Sequence, residues 1–202
     1  PVSDASWAAR LTGGGQGSHT IPLFDAGMPR SLVREITRGN KYTIAHLWGE
    51  HVAYAGVITN RKYSATTRKL TLQSTELRAA LMNQRMLFGV PDYNPAVNAL
   101  VVSGRSYSAA VRAVLLAATT INAEWALPID IPADGAGGFS ATWRKEESLM
   151  WEDHLAQIEA DGCEIAFLPY LSGGNLRWAT RVEYTVKTGT PTDLAAKAPG
   201  SI

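Results

Sequence analysis

Two histidines in His46-Leu47-Trp48-Gly49-Glu50-His51 come nearest, by residue type, to a metal-assisted hydrolase site. Known signatures place two imidazoles one helical turn apart, so that both reach a single zinc ion. Here the spacing is five and Gly49-Glu50 reads as a turn between strands, so alternation sends His46 and His51 to different environments. The glycine run Gly13-Gly14-Gly15-Gln16-Gly17-Ser18 raises the question of a phosphate cradle. Such a cradle needs a helix N-terminus after the glycines. The residues that follow, His19 to Phe24, read as extended and include Pro22, so the run is a flexible loop. Cys163 falls just after a helix C-terminus, where the dipole works against a thiolate, and reads as a buried structural thiol. The acidic residues Glu146, Glu147, Glu152, Asp153, Glu159 and Asp161 lie on or before one helix, as its solvated face and N-terminal charge complement. Trp48, Trp151 and Trp178 sit on apolar faces and read as core. Trp7, Trp125 and Trp143 are left open. No Gly-x-Ser-x-Gly elbow occurs. The expectation is no catalytic residue, no cofactor and no metal, in a protein that is not an enzyme.

Composition narrows the partners. The chain has 202 residues, 46% hydrophobic and 18% charged, which suits one compact domain or two small ones. A net charge of +1 gives no field that argues for nucleic acid or an anionic membrane. One cysteine excludes an internal disulfide framework and cannot alone build a zinc site. The opening Pro-Val-Ser-Asp has neither the basic nor the apolar region of a secretory signal, and Pro1 is what loss of an initiator Met would leave. The longest apolar run, Ala109 to Ile121, contains Arg112 and is short of the ~30 Å a bilayer core requires. A protein that is intracellular at synthesis, with no membrane insertion, is the expectation.

The stretch from Tyr42 to Phe88 reads as strand, hairpin, strand, strand and helix. Tyr42, Ile44 and Trp48 share one face of the first strand, and Gly49-Glu50 suits a type II′ turn. Val52, Tyr54 and Ile58 alternate against Ala53, Ala55 and Val57 on the return strand. Leu70-Thr71-Leu72 is extended, and Ser74 or Thr75 offers an N-cap with Glu76 in the first helical turn. Leu77, Leu81 and Phe88 form that helix's apolar stripe. Short strands at Ser6 to Arg10 and His19 to Phe24 complete a set that fits a small antiparallel barrel or sandwich, taken as a β-barrel over residues 1–92, with a loop and one helical turn near Leu32 to Ile36. The proline- and glycine-rich stretch from Gly89 to Pro95 reads as a boundary. Residues 96–187 then form an α+β region. Ser106 or Ser108 caps a helix to about Thr120, with Val111, Leu115 and Leu116 inward. Trp125 to Ile131 and Phe139 to Trp143 are strand candidates, and Ser148 opens a helix bearing Trp151, Leu155 and Ile158 and stopped by Gly162. A hairpin follows about Ser172-Gly173-Gly174-Asn175, and residues 188–202 read as a flexible tail. The fold class is mainly β with helices, α+β.

Two blocks carry a family resemblance. One is Tyr-Ala-Gly-Val-Ile-Thr…Leu-Thr-Leu-Gln-Ser-Thr-Glu-Leu-Arg, from Tyr54 to Arg78. The other runs from Trp151 to Tyr170 as helix, glycine stop and strand, and Gly-Gly-Asn-Leu-Arg-Trp follows it. Together they resemble the tail-tip hub and minor tail proteins of siphophages infecting actinobacteria. The resemblance implies a structural virion protein at the tail tip, present in the host cytoplasm during assembly. It also implies barrels set in a ring, as a trimer, touching the distal tail protein, the tape-measure protein and a tail fibre or other minor tail proteins, with no nucleic-acid binding of its own. This chain stops soon after its last hairpin, where hub proteins continue, so the expectation is that part of a second barrel is absent, a departure that bears on trimerisation through it. The alternative is a carbohydrate-binding β-domain for host cell-wall polymer, which an exposed row of aromatics would favour. A third reading, a cryptic hydrolase, requires a cleft with two converging carboxylates.

Overall fold

The computed structural model describes residues 4–8, 15–22, 30–81, 99–121, 127–144, 147 and 150–184. The first half forms a five-stranded antiparallel sheet in the order β1-β2-β5-β4-β3. Its strands are β1 (Asp4–Ala8), β2 (Gln16–Pro22), β3 (Thr43–Trp48), β4 (His51–Ser64) and β5 (Lys69–Glu76). The sheet curls into a half-barrel, and α1 (Arg30–Ile36) and α2 (Leu77–Leu81) accompany it. The β3–β4 hairpin turns at Gly49, with a positive φ of 61°, while Glu50 stays out of that region, the pattern of a type II′ turn. At a bulge opposite His46 and Leu47, β4 carries one extra residue, Ala53, which resets the alternation of β4 and packs Val52 against the same core as Ala55 and Val57. Trp48 is the last residue of β3, beside the hairpin turn, and it stands 83% exposed rather than in the core. At the other end of this segment, β5 runs on to Glu76, so Ser74 is a mid-strand residue and caps nothing. Gln16 and Gly17 likewise belong to β2, not to a loop.

The inner face of the sheet buries Ile58, Leu70 and Leu72, with Ile21, Val33, Tyr42 and Ile44 packed against them. The opposite face of β4 sends Ala55 and Val57 into a larger core. That core collects Leu77, Val102, Val111, Leu115, Trp143, Trp151, Leu155, Ile158, Ile165 and Trp178, so residues from both halves of the sequence meet in it. The second half supplies β6 (Ala99–Arg105), α3 (Tyr107–Ile121), β7 (Ile129–Asp130), β8 (Phe139–Arg144), α4 (Trp151–Ala160), β9 (Cys163–Ser172) and β10 (Asn175–Tyr184). β6 pairs with β8, and β10 lies between β7 and β9.

Ser106 opens α3, its hydroxyl accepting from the Ala109 N–H at 3.2 Å. Leu116 lies on the outer side of that helix, not inward. α4 begins at Trp151, and the Asp153 carboxylate accepts from the Met150 N–H at 2.7 Å. Gly162, with φ at 115°, then ends it. The β9–β10 turn uses Gly173 and Gly174, both at positive φ. The segments about Phe88, Gly89 to Pro95, Trp125, Ser148 and 188–202 lie outside the described residues. Among the described residues no helix is long and apolar enough to cross a membrane.

Candidate functional site

One side chain from each of the five strands converges inside the half-barrel: Trp7, His19, His46, Tyr54 and Ser74. Register accounts for the meeting. Trp7 stands opposite Gly17, Gly17 opposite Ser74, and His46 opposite Tyr54. His19 Nε2 and Ser74 Oγ are 2.7 Å apart, and His19 Nδ1 and His46 Nε2 are also 2.7 Å apart. The Tyr54 hydroxyl reaches Ser74 Oγ at 2.9 Å. The His46 ring stacks between Trp7 and His19, with centroids 4.7 Å from each. Because β1 and β3 are the two edges of the sheet, the Trp7–His46 stack bridges them through side chains.

Two glycines make room for these rings. A Cβ on Gly17 would lie 2.7 Å from His19 Nε2 and 2.8 Å from Ser74 Oγ. A Cβ on Gly56 would overlap the Tyr54 hydroxyl. Each glycine sits two residues from the ring it accommodates, on the same strand face.

The wiring Ser74–His19–His46 has the order of a nucleophile, a base and an orienting group. Its surroundings favour a different role. Ser74 is 2% exposed and His19 is fully buried. Burial first, and then the neighbouring His46, hold the His19 imidazole down at about 4, so it is a neutral ring at neutral pH. Burial also lowers His46 and raises the Tyr54 hydroxyl. With one proton on each ring, donors and acceptors match along the chain of contacts, Tyr54 donating to Ser74, Ser74 to His19 Nε2, and His19 Nδ1–H to His46 Nε2. Such a network satisfies polar groups inside the sheet. Ser74 also lines a cleft of about 470 Å³ with Trp7, Gln16, Ser18, Gln73 and Thr75, and no carboxylate is among its lining residues.

The residues singled out in the sequence are placed as follows. His46 joins the cluster, whereas His51 is exposed on the start of β4, so the two imidazoles do not share a ligand position. Cys163 is buried, its thiol near Ile158 O at 3.6 Å, and burial followed by Glu159 and Asp161 pushes it up to about 11. Glu152 and Glu159 are structural rather than solvated. They grip the buried Arg78 of α2, with Nε 2.7 Å from Glu152 Oε2 and Nη2 2.5 Å from Glu159 Oε2. Arg78 also donates to the Ile165 carbonyl at 3.0 Å. Trp143 is buried and Trp7 remains partly exposed. Among the described residues no group of three or more His, Cys, Asp or Glu could hold a metal ion.

The fold and the cluster together define a mainly β α+β protein whose polar centre is closed off inside a curled sheet. No family model matches the chain, and no curated protein matches it. Among solved structures it is similar to the tail protein from Neisseria meningitidis MC58, at 15% identity and a TM-score of 0.45, over 86% of this chain and 44% of that one. It is also similar to the 43 kDa tail protein of prophage MuSo2 from Shewanella oneidensis, at 12% identity and a TM-score of 0.45, over 87% of this chain and 48% of the other. The chain spans less than half the length of either.

Proposed function

We propose that this chain is a structural part of a phage tail, a hub or minor tail protein at the tail tip that joins the end of the tube to host-facing parts. The observation that carries the reading is the union of the two blocks that resemble that family. Arg78, the last residue of the first block, is clasped by Glu152 and Glu159 of the second, and β4 packs beside β9 in one core. The polar cluster is turned inward, while Leu47 and Trp48 stand exposed at the tip of the β3–β4 hairpin, open to burial against a neighbour. In this reading copies surround the tail axis as a ring, three in number, with the half-barrel toward the lumen. Closed symmetry lets identical interfaces satisfy one another. The neighbours are the distal tail protein, the tape-measure protein and a fibre or other minor tail protein. Assembly takes place in the host cytoplasm. No turnover of nucleotides, esters or peptidoglycan belongs to this role.

Electron microscopy of the assembled particle, with this chain tagged, tests the proposal. A ring on the tail axis is the expected image. Scattered single copies on the capsid or fibre tips would overturn it and bring the carbohydrate-binding reading forward.

A further inference from the structure

The near-neutral net charge conceals an uneven distribution. Residues 30–69 hold eight Lys and Arg against two Glu. Three of these cations, Arg34, Arg38 and Arg61, line one cleft of about 620 Å³ together with Ser31 and Glu35. Arg61 is fixed there, its Nη1 donating to the Arg34 carbonyl at 2.7 Å. Glu35 is already engaged, by Lys41 at 2.6 Å and the Tyr42 hydroxyl at 3.3 Å. Among the described residues no close ion pair joins a carboxylate to any of the three guanidinium groups, although Lys41 first, and Arg38 after it, help to hold the Glu35 carboxyl down. Placement of Arg34 in the last turn of α1 complements that helix's dipole and accounts for one of them. Three exposed cations against the one carboxylate of Glu35 leave this hollow net positive, which an entering anion would relieve.

We propose that this cleft is a docking site for an acidic segment of a partner protein, with Arg34, Arg38 and Arg61 forking onto its carboxylates and the Ser31 hydroxyl supplying a further donor. Planar guanidinium groups match carboxylate oxygens two at a time, which lysines do not. A nucleic acid fits less well. Its phosphates need a continuous basic track, with one duplex charge per ~1.7 Å of axis. Arg61 stands opposite Leu72 while Lys62 stands opposite Thr71, so alternation sends these neighbouring cations to opposite faces of the hairpin. The inference holds whether or not the chain belongs to a tail.

The test uses the full chain and a fluorescein-labelled Gly-Glu repeat peptide, followed by anisotropy at low and physiological salt. A Gly-Gln peptide and an oligothymidylate of equal length serve as comparisons. Replacing Arg34, Arg38 and Arg61 together by Gln should weaken Gly-Glu binding by about tenfold, the scale of several exposed ion pairs lost at once. Lys62→Gln with Lys69→Gln should change it by less than about twofold. Arg38→Gln alone, at a side chain with no hydrogen bond among the described residues, should give a partial loss with an unchanged unfolding midpoint. Lack of Gly-Glu binding, equal loss in the lysine variant, or equal binding of the Gly-Gln peptide would each overturn the proposal. So would tighter, arginine-dependent binding of the oligothymidylate, which would assign the cleft to nucleic acid.

Discussion

Ser74 illustrates how far a residue's meaning depends on its neighbours across the sheet. In sequence it stands beside Thr75 and Glu76 before an apolar run, which is the pattern of a helix cap. In the fold it joins Tyr54 and His19, partners 20 and 55 residues away. Those separations put the cluster beyond any local pattern. A fainter signal was present, because Gly17-x-His19 and Tyr54-x-Gly56 each set a glycine two residues from a ring, where a strand must leave space. Gly17→Ala should therefore cost about 1–3 kcal/mol, the usual penalty of overpacking. Gly138→Ala, where nothing lies within 4 Å of the added carbon, should stay within about 0.5 kcal/mol. Thermal unfolding of the two variants distinguishes them. His19 carries a pH prediction as well. Its pKa is near 4 in the folded chain against 6.5 when free, so the unfolded chain binds more protons between those values. Stability is then full above about pH 6.5 and falls as the pH drops toward 4, by up to about 3 kcal/mol from this residue. Burial lowers His46 and His154 in the same sense. Urea unfolding across this range checks the slope, and His19→Gln should remove most of it. A flat profile in the parent chain would mean that the folded sheet accepts the proton.

The elements that packing alone dictates were the most legible. In α4, Trp151, Leu155 and Ile158 keep helical spacing in the sequence, and all three are fully buried. Trp151→Ala should cost about 3–5 kcal/mol, as large core truncations do. A loss below about 1 kcal/mol would place that helix face outside the core. The glycine-marked hairpins were legible too, since Gly49 and the Gly173-Gly174 pair supply the positive φ their turns require. What escaped was longer in range. The extra residue Ala53, which β4 carries opposite His46 and Leu47, and the exposure of Trp48 at the hairpin tip are announced by no residue type. Arg78 shows the same limit. Arginine is a residue type of the surface, yet this one is buried against α4 and β9. Burial on its own would discourage its charge, and the hydrogen bonds it donates to Glu159 and Glu152 more than reverse that effect. Arg78→Met should cost about 3–5 kcal/mol by leaving two carboxylates unmatched. Adding Glu152→Gln and Glu159→Gln to that variant should restore part of the loss, and denaturant midpoints for the series decide it.

At the scale of the whole molecule, the mainly β α+β class follows from strand count and turn chemistry, both visible in the sequence. Assembly belongs to this scale as well. Leu47 and Trp48 stand at a hairpin tip, largely exposed among the described residues, and offer apolar surface to a neighbour. Under the proposed tail role, Trp48→Ser should leave the isolated chain's unfolding midpoint nearly unchanged while reducing its incorporation into particles. Quantitative blotting of purified virions against the parent chain checks that outcome. An isolated copy is expected to run as a monomer on sedimentation, since association entropy is large relative to one exposed tip.

The shared core also sets a schedule for synthesis. Ala55 and Val57 are made early, but Trp151 and Trp178, which lie in the same core, are translated on the order of ten seconds later at ordinary ribosome speeds. During that interval the back of β4 is an apolar sheet face without its last cover, held on a nascent chain. Chaperone capture should concentrate in this window, and ribosome-bound chains arrested before residue 150 should cross-link to holdases more strongly than chains released at full length.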